Sequence, residues 1–416
     1  MRIAFFTDTF LPQVNGVATS IANFATELGR RGHRVLIVTP KLKEEGPDFE
    51  AKNVKVVYLP SVPALVYPKF RISPFVGLPR TLQAVRAFDP DIIHFHTTLM
   101  IEVDAVLMAK YLHKPLVGTN HIYLTKSDDS YLTFVAKHQA TRWLMTRVVL
   151  AHHLGFLNAC DLRIAPSQML IDGLRKDGYK KTMEYLPNAV PAFAKKRPDT
   201  GERKRWRKKY ELQEKVVLHV GRLSVEKKIE DVLIAFSHVH SKRKDVSLLI
   251  VGDGPQRGGL EVLAQKLGIE RDTVFTGFVP PAQLMESGLP GIADVFVTAS
   301  PMESQGMVLI EAMAFGIPIV AVGEGAVPEV VGDSGFLVKK DDVAAMANRI
   351  EQILADPVLA KKMSALSLER HSFFSIGTTT DRLLALYQKA IQLYQARTGR
   401  KQRSATKIRS TKGKSR

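Results

Sequence analysis

Two carboxylates in a short apolar stretch are the most chemically suggestive feature of this sequence. Glu303 and Glu311 flank Gly306 within ESQGMVLIEAMAFGIPIV (303–320). A glycine at a helix start lets backbone N–H groups approach an anion, and the helix dipole favours phosphate there. We therefore expect the phosphates of a sugar nucleotide to rest on Gly306–Val308, with both carboxylates within reach of its hydroxyls. An unpaired carboxylate among apolar residues is costly, which favours function over a purely structural role for Glu311.

Two cations follow another strand-like run in the second half of the chain. Arg222 and Lys227 lie in GRLSVEKKIED (221–231), after an apolar segment. Facing Gly306 across a cleft, they would neutralise a leaving diphosphate without a metal ion. The alternative is a solvated basic loop, and the adjacent Lys228 is expected to point elsewhere.

A glycine-rich turn lies after a further strand-like run. Gly252 and Asp253 belong to VGDGPQ (251–256). The position at a strand end fits a contact with the nucleoside, although turn chemistry alone also explains the sequence.

The first half contains a loop and a histidine that could face the same ligand. Gly16 in TDTFLPQVNGVATS precedes a helix that begins near Val17, where backbone could approach a diphosphate or a sugar. His121 ends PLVGTNH and could hydrogen-bond a donor sugar or stabilise charge at the reacting centre. His94 and His96 share one face of a strand, and we interpret them as buried, hydrogen-bonded histidines. We find no Asp-x-Asp pattern suited to a metal–diphosphate, so we expect no metal ion and no cofactor.

The elements that must position these residues alternate between strand and helix. Such alternation predicts parallel, doubly wound sheets, in which ligands bind beyond the carboxyl ends of the strands. In the first half the predicted strands are 2–7, 34–39, 54–59, 91–96, 115–120 and 161–166, with helical patterns at 17–30, 101–112 and 137–157. In the second half they are 216–224, 246–252, 273–279, 294–299 and 318–323. We predict a first domain over 1–190, a second over 197–374, and a last helix over 375–396 that packs back on the first.

Composition describes a soluble globular protein with a basic surface. The 416 residues suit two domains; 45% are hydrophobic and 24% are charged. The one cysteine, Cys160, allows no intrachain disulfide and fits a reducing cytoplasm, and the N-terminus shows no secretory signal. The net charge is +18, part of it in a tail over 397–416 that we expect to be disordered.

Taken together, these motifs resemble the retaining GT-B glycosyltransferases of family 4 over nearly the whole chain except the tail. The matches are QVNGVATS, His121, GRLSVEKKIED, VGDGP and the Glu303–Glu311 element, in this order. Gln305 in ESQGMV and the run DTFLPQVNGVATSI look like the branch that glucosylates diacylglycerol or mannosylates related lipids. The sequence departs from that branch at Asn120, where many members carry an aromatic residue before the histidine.

The resemblance implies a role for each matched residue. Glu303 would contact the donor sugar, Glu311 the ribose, and Arg222 and Lys227 the diphosphate, while the Gly16 loop and His121 close on the donor from the other domain. The implied catalytic residues are His121, Arg222, Lys227 and Glu303. The implied donor-binding residues are Gly16, Gly252, Asp253, Gln305, Gly306, Met307, Val308 and Glu311.

The leading functional prediction is transfer of a hexose from UDP-glucose or a similar donor to a membrane lipid such as diacylglycerol. Alternatives are GDP-mannose or another donor, and phosphatidylinositol, a soluble acceptor or a polysaccharide as acceptor. A nucleic-acid-binding protein is a remote alternative, because the basic residues lie outside the folded motifs. Basic, aromatic segments at 61–80 and 138–157 predict docking on an anionic membrane surface, at the inner face of the plasma membrane, unless the second is a core helix.

Overall fold

The structure of the protein is a computed structural model. It describes residues 1–13, 15–41, 49–63, 71–73, 78–96, 100–121, 139–190 and 197–399. The predicted segment 61–80 and the tail therefore lie largely outside the described residues.

Strands and helices alternate along both halves of the chain. The strands are β1 (Arg2–Phe6), β2 (Arg34–Pro40), β3 (Val54–Leu59), β4 (Val62–Pro63), β5 (Arg71–Ile72), β6 (Ile92–Phe95), β7 (Leu116–Thr119), β8 (Leu162–Ala165), β9 (Glu184–Tyr185), β10 (Lys215–Val220), β11 (Val246–Val251), β12 (Thr273–Phe275), β13 (Val295–Thr298), β14 (Ile319–Val322) and β15 (Gly335–Val338). The helices are α1 (Gly16–Arg30), α2 (Leu78–Phe88), α3 (Ile101–Tyr111), α4 (Gln139–Ala159), α5 (Gln168–Lys176), α6 (Thr200–Tyr210), α7 (Ile229–Lys242), α8 (Arg257–Lys266), α9 (Pro281–Ser287), α10 (Met307–Ala314), α11 (Val327–Val331), α12 (Val343–Ala355), α13 (Pro357–Phe374) and α14 (Ile376–Thr398).

Two parallel sheets form the centres of two Rossmann-like domains, as predicted. Within the described residues, one sheet has seven strands in the order β3-β2-β1-β6-β7-β8-β9 and the other has six in the order β12-β11-β10-β13-β14-β15. The strand order reverses between β1 and β6 and again between β10 and β13. Ligands of open α/β sheets bind beyond the strand ends at such reversals. The loops that follow these four strands carry most of the predicted site residues.

The first sheet is buried on both faces, which explains its continuous apolar strands. Ala4 and Phe6 of β1 point into one core, and Ile3 and Phe5 point into the other. The second of these cores also contains side chains from α14, notably Tyr387. The last helix thus packs on the first domain, mainly against α1, β7 and β8.

A single arginine fixes the start of the second domain. The Arg197 guanidinium donates hydrogen bonds to the carbonyls of Phe315, Gly316 and Ala293 at 3.0, 3.2 and 3.4 Å. These carbonyls include the C-terminal end of α10, where a cation is favourable. Arg197 therefore anchors the chain that follows the linker to the C-terminal end of α10, the helix that carries Glu311.

Two predicted strands end earlier than their sequence patterns suggest. For the pattern over 216–224, β10 ends at Val220. The other strand is β12. The pattern spans 273–279, but β12 ends at Phe275, and Gly277 has a φ of +77°. That conformation interrupts the parallel ladder, and Gly277 instead forms an isolated antiparallel bridge with Gly252. The interruption places backbone from this segment against the VGDGP turn.

Candidate active site

The candidate site is centred on an ion pair between two predicted residues. The Lys227 Nζ lies 2.5 Å from the Glu303 Oε1, and both side chains are largely buried. Lys227 comes from a 3-10 turn after β10, and Glu303 comes from the loop after β13. The strand reversal thus brings together two side chains that are 76 positions apart. Lys228 points elsewhere, as predicted, and pairs with Asp341 at 3.2 Å.

Arg222 adds a second positive charge to this group. Its side chain is exposed. A hydrogen bond from Ser224 lowers the pKa of the neighbouring Glu226, and the charges of Lys227 and Arg222 add smaller effects in the same direction. The Arg222 guanidinium forms no hydrogen bond with any of the described residues, so its five donors face solvent at the end of β10. A planar guanidinium with several free N–H donors is suited to binding a diphosphate.

Helix α10 begins beside the ion pair with an uncapped N-terminus. Gly306 is its N-cap with a φ of +72°, and no side chain caps the first turn. The N–H groups of Met307 and Val308 have no partner within the helix, because the first turn of any helix leaves them free. Gly306 is required here both by its positive φ and because a Cβ would lie 2.9 Å from Leu309 Cδ1.

Gly16 meets this helix from the other domain. A Cβ at Gly16 would lie 3.6 Å from Met307 Cγ, so the first residues of α1 and α10 face each other. Asn15 already caps α1 by accepting hydrogen bonds from Val17 N and Ala18 N at 3.1 and 2.9 Å. The positive ends of two helix dipoles therefore converge on one point between the domains, which favours an anion.

Glu311 lies one turn further along α10 in a less polar setting. Burial raises the pKa of its carboxyl to about 7. Its neighbours in a small pocket include Leu218, Val220 and Pro290, and no hydrogen-bond partner is found for it among the described residues. A carboxyl with free acceptors at the edge of a cleft is suited to vicinal hydroxyls, which supply the missing donors.

Gly252 has a structural explanation that is independent of any ligand. Its φ is +145°, and a Cβ would lie 1.9 Å from the carbonyl oxygen of Gly221. Leu223 N donates to Asp253 O at 3.0 Å, which fastens the VGDGP turn to the loop that carries Arg222. The Asp253 carboxylate accepts from Gly254 N at 2.7 Å and lies 3.4 Å from Arg257. The predicted nucleoside contact stays a prediction, while the turn clearly supports the cation loop.

Gln305 is placed differently from the other predicted donor contacts. Its side chain is 1% exposed and is engaged by the backbone of Asn188. Asn188 N donates to Gln305 Oε1 at 2.8 Å, and Gln305 Nε2 donates to Asn188 O at 3.4 Å. The side chain thus contacts the first domain, and its predicted role toward the donor stays a prediction.

His121 belongs to a buried group of three histidines. His96 Nδ1 lies 3.3 Å from His121 Nε2, and His94 bonds Tyr387 Oη and Thr119 Oγ1 at 2.8 and 2.7 Å. Burial lowers the pKa of His121 to about 4 and also lowers the pKa values of His94 and His96. The three rings are therefore neutral at pH 7. His121 Nδ1 is buried and has no hydrogen-bond partner among the described residues.

Sequence reasoning missed a buried acidic pair on the first domain. The Asp8 carboxylate, after β1, accepts from Ile101 N at 3.2 Å at the start of α3. Glu102 is fully buried, and burial, reinforced by the charge of Asp8, raises its pKa to about 9. His152 of α4 lies 3.2 Å from Glu102 Oε1. An Asp at the end of the strand at the reversal was the available signal for Asp8, whereas nothing local marks Glu102.

The structure brings together the predicted residues of the second domain and the Gly16 loop. Lys227, Glu303, Gly306 and Gly16 are linked by the contacts above, and His121 lies at the corresponding edge of the first sheet. In the described ranges, no group of three or more His, Cys, Asp or Glu side chains is arranged so that it could hold a metal ion. No helix within those ranges is long and apolar enough to cross a membrane.

Two parallel Rossmann-like domains with a cationic, glycine-rich site between them are the architecture of GT-B glycosyltransferases. Comparison with known proteins agrees. Residues 14–192 match the sequence model described as Glycosyltransferase Family 4, and residues 202–370 match that described as Glycosyl transferases group 1. The chain belongs to this glycosyltransferase family and is a hexosyltransferase.

Three similar proteins illustrate the range within the family. The chain is 31% identical to the alpha-monoglucosyldiacylglycerol synthase of Streptococcus pneumoniae, covering 90% of this chain and 85% of the relative. It is 28% identical to a GDP-mannose-dependent alpha-mannosyltransferase of Mycolicibacterium smegmatis, covering 82% and 85% of the two chains. The crystal structure of Anabaena HepE in complex with UDP is similar in fold, with a TM-score of 0.71 at 20% identity, covering 93% of this chain and 100% of that one.

Proposed function

We propose that this protein is a retaining transferase that moves glucose from UDP-glucose to a hydroxyl of a membrane lipid such as diacylglycerol. The observation that carries the donor half is the Lys227–Glu303 pair beside the uncapped start of α10. The acceptor half is supported by the similarity to an alpha-monoglucosyldiacylglycerol synthase.

Each group of the site has a task in this reaction. The diphosphate rests on the first turn of α10, where free N–H groups and the dipole favour its charge. Arg222 and Lys227 stabilise the additional negative charge that develops as the diphosphate leaves. Lys227 also fixes the Glu303 carboxylate, which accepts hydrogen bonds from the sugar. Glu311 takes the ribose hydroxyls, and His121 supports the sugar from the first domain.

The described residues assign no nucleophile to the far face of the sugar, so we propose that the acceptor attacks from the front face. The bond between the anomeric carbon and the diphosphate breaks, and the bond to the acceptor oxygen forms on the same side. The acceptor proton passes to the leaving phosphate oxygen. The neutral His121 is then a hydrogen-bonding group and not the general base.

The proposal includes work at a membrane surface without a required metal. The net charge of +18 favours an anionic bilayer, and we place the enzyme peripherally on its cytoplasmic side. The described side chains of α4 include Leu150 and Leu157, which are buried in the first core. That half of the 138–157 segment is therefore a core helix, and membrane contact is left to other basic surfaces.

A transfer assay tests the proposal. Purified protein is given labelled UDP-glucose or GDP-mannose with mixed micelles that contain diacylglycerol or phosphatidylinositol, with and without EDTA. We expect transfer from UDP-glucose to diacylglycerol, an unchanged rate in EDTA, and NMR of the fresh product that shows a retained anomeric configuration. Inversion, or loss in EDTA that Mg²⁺ restores, would contradict the mechanism.

One alternative donor has a specific observation in its favour. Several similar proteins are named as GDP-mannose-dependent alpha-mannosyltransferases. Transfer from GDP-mannose and not from UDP-glucose in the same assay would establish that alternative while leaving the site assignment intact.

A further inference from the structure

Two side chains of the second domain, close to the loop that carries Glu303, form hydrogen bonds with backbone groups of the first domain. The mechanism above uses neither. The first is Gln305, whose amide satisfies both backbone polar groups of Asn188. Asn188 lies in the first-domain half of the chain, 117 positions away, shortly before the linker. Because Gln305 is buried, its removal would leave an N–H and a carbonyl of Asn188 without their partner.

The second side chain is Glu329 of α11. Its two carboxylate oxygens accept hydrogen bonds from Gln168 N and Met169 N, each at 3.1 Å. These are the first N–H groups of α5 in the other domain, and the α5 N-cap, Ser167, takes only Leu170 N at 3.3 Å. A carboxylate from the second domain therefore completes the cap of a helix in the first, where the dipole favours negative charge.

Both contacts are connected to Glu303 through short, tightly packed backbone. Ala326 N donates to Glu303 O at 2.9 Å, three residues before Glu329. A Cβ at Gly325 would lie 2.8 Å from the same carbonyl, so this loop has no free space against Glu303. Gln305 follows Glu303 by two residues and precedes the N-cap of α10. The loop that carries Glu303 is thus joined to the first domain directly through Gln305, and indirectly through Ala326 and the neighbouring Glu329.

We propose that Gln305 and Glu329 are positioning residues that lock the two domains together and, through that lock, set the position of Glu303 and the start of α10. The inference rests on the donor site of the proposed function. Each contact has one partner in each domain, so separation of the domains breaks both and releases the loop on either side of Glu303.

The test needs one measurement that is independent of any donor. Spin labels on Lys180→Cys and Lys266→Cys, one exposed position in each domain, report the interdomain distance by double electron–electron resonance. The chain's Cys160 is buried and burial raises its thiol pKa, so the engineered cysteines take the label. We expect one narrow distance distribution for the parent, and a broadened or two-component distribution for Gln305→Met and Glu329→Ala. The control is Glu324→Gln, an exposed change in the loop between β14 and α11, and it should keep the narrow distribution.

Kinetics provide the second readout. In the transfer assay, both variants should lose about tenfold or more in kcat/KM, with the melting temperatures of both domains retained. The double variant should lose little more than the worse single variant, because either break releases the same loop. Glu329→Gln keeps one acceptor oxygen and should recover part of the loss.

The outcomes separate cleanly. A narrow distribution in both variants overturns the lock, and a broadened distribution with unchanged kcat/KM overturns the link to Glu303. A parent protein that transfers no sugar defeats the proposed function, while the distance measurement still supports or overturns the lock by itself.

Discussion

At the scale of single residues, Glu303 makes two separate contacts, one through its carboxylate and one through its backbone carbonyl. Its side chain holds Lys227, while its carbonyl holds the loop that follows β14. A change of side chain therefore removes the charge without removing the backbone contact that shapes the loop. This separation makes the proposed catalytic role of the carboxylate accessible to mutation.

We expect Glu303→Gln to depress turnover by at least about a hundredfold, the scale of losing one preorganised polar group at a reacting centre. The amide keeps the volume of the side chain but cannot pair with Lys227 as a charge. Steady-state kinetics measure the loss, and circular dichroism checks the fold. Glu324→Gln is the matched control. A folded Glu303→Gln variant with turnover like that of the parent would exclude the role.

Glu102 leads to a pH prediction at the same scale. Burial raises its pKa from 4.5 to about 9, so the folded state keeps the proton while the unfolded state loses it. Its contribution to stability is complete below pH 4.5 and declines as the pH rises toward 9. Glu102→Gln stays neutral, so its advantage in free energy of unfolding should grow by about 1.4 kcal/mol per pH unit between pH 5 and 8.

Urea titrations at several pH values measure this difference. Glu50→Gln, an exposed change in the same domain, serves as the control and should follow the parent at every pH. Parallel pH profiles for Glu102→Gln and the parent would show that Glu102 is ionised in the folded protein.

At the scale of elements, the VGDGP turn shows how glycine supports a site without touching a ligand. Gly252→Ala would drive a Cβ to 1.9 Å from Gly221 O at a φ of +145°, so we expect a loss of more than about 2 kcal/mol in stability. Gly258→Ala is the matched control, since a Cβ there meets nothing within 4 Å on α8. That change should be neutral or stabilise by up to about 1 kcal/mol. Denaturant unfolding of both variants tests the pair, and equal stabilities would contradict the clash.

The elements themselves were largely predictable from sequence. Buried apolar runs bounded by glycine or polar residues located most of the long strands to within about two residues, because a doubly wound sheet buries both faces of each strand. The prediction over 216–224 ran past the end of β10 at Val220. The start of α10 followed from Gly306 alone. The pattern failed at β12, where Gly277 ends the strand early, since periodicity does not report a positive φ.

Contacts between distant parts of the chain were not predictable in this way. His94 bonds Tyr387 across 293 positions, and Gln305 bonds Asn188 across 117. Neither residue type marks its partner in the sequence. Because Gln305 lies between Glu303 and Gly306, the resemblance to family 4 predicted that it contacts the donor. In the structure its amide contacts Asn188 of the other domain. The raised pKa of Glu102 was not predictable from sequence either, because it depends on how α3 buries this side chain.

At the scale of the whole molecule, the proposed membrane association depends on charge. Residues 400–416 contain eight of the cations behind the net charge of +18 and no acid. Ending the chain after Gly399, just beyond α14, should weaken binding to anionic vesicles several-fold without abolishing it, because the folded domains remain basic. Flotation with increasing anionic lipid and salt measures the effect, which should shrink as salt screens exposed charge.

Neutral vesicles are the control for charge, and the truncated enzyme's melting temperature is the control for folding. Binding that is independent of anionic lipid content would contradict the proposal of a membrane surface and would favour a soluble acceptor.

The packing of α14 on the first domain also affects the order in which the two domains can complete their folding during synthesis on the ribosome. Leu383, Tyr387 and Ala390 fill a core that also contains Ile3 and Phe5, so this core is incomplete until α14 has been synthesised. The second domain does not depend on a distant segment in this way, because its strands and helices lie within one continuous stretch after Arg197. During synthesis, the apolar face of α1 that α14 covers therefore stays exposed until the second domain has been made. The nascent first domain is the part of this molecule that chaperones have reason to hold.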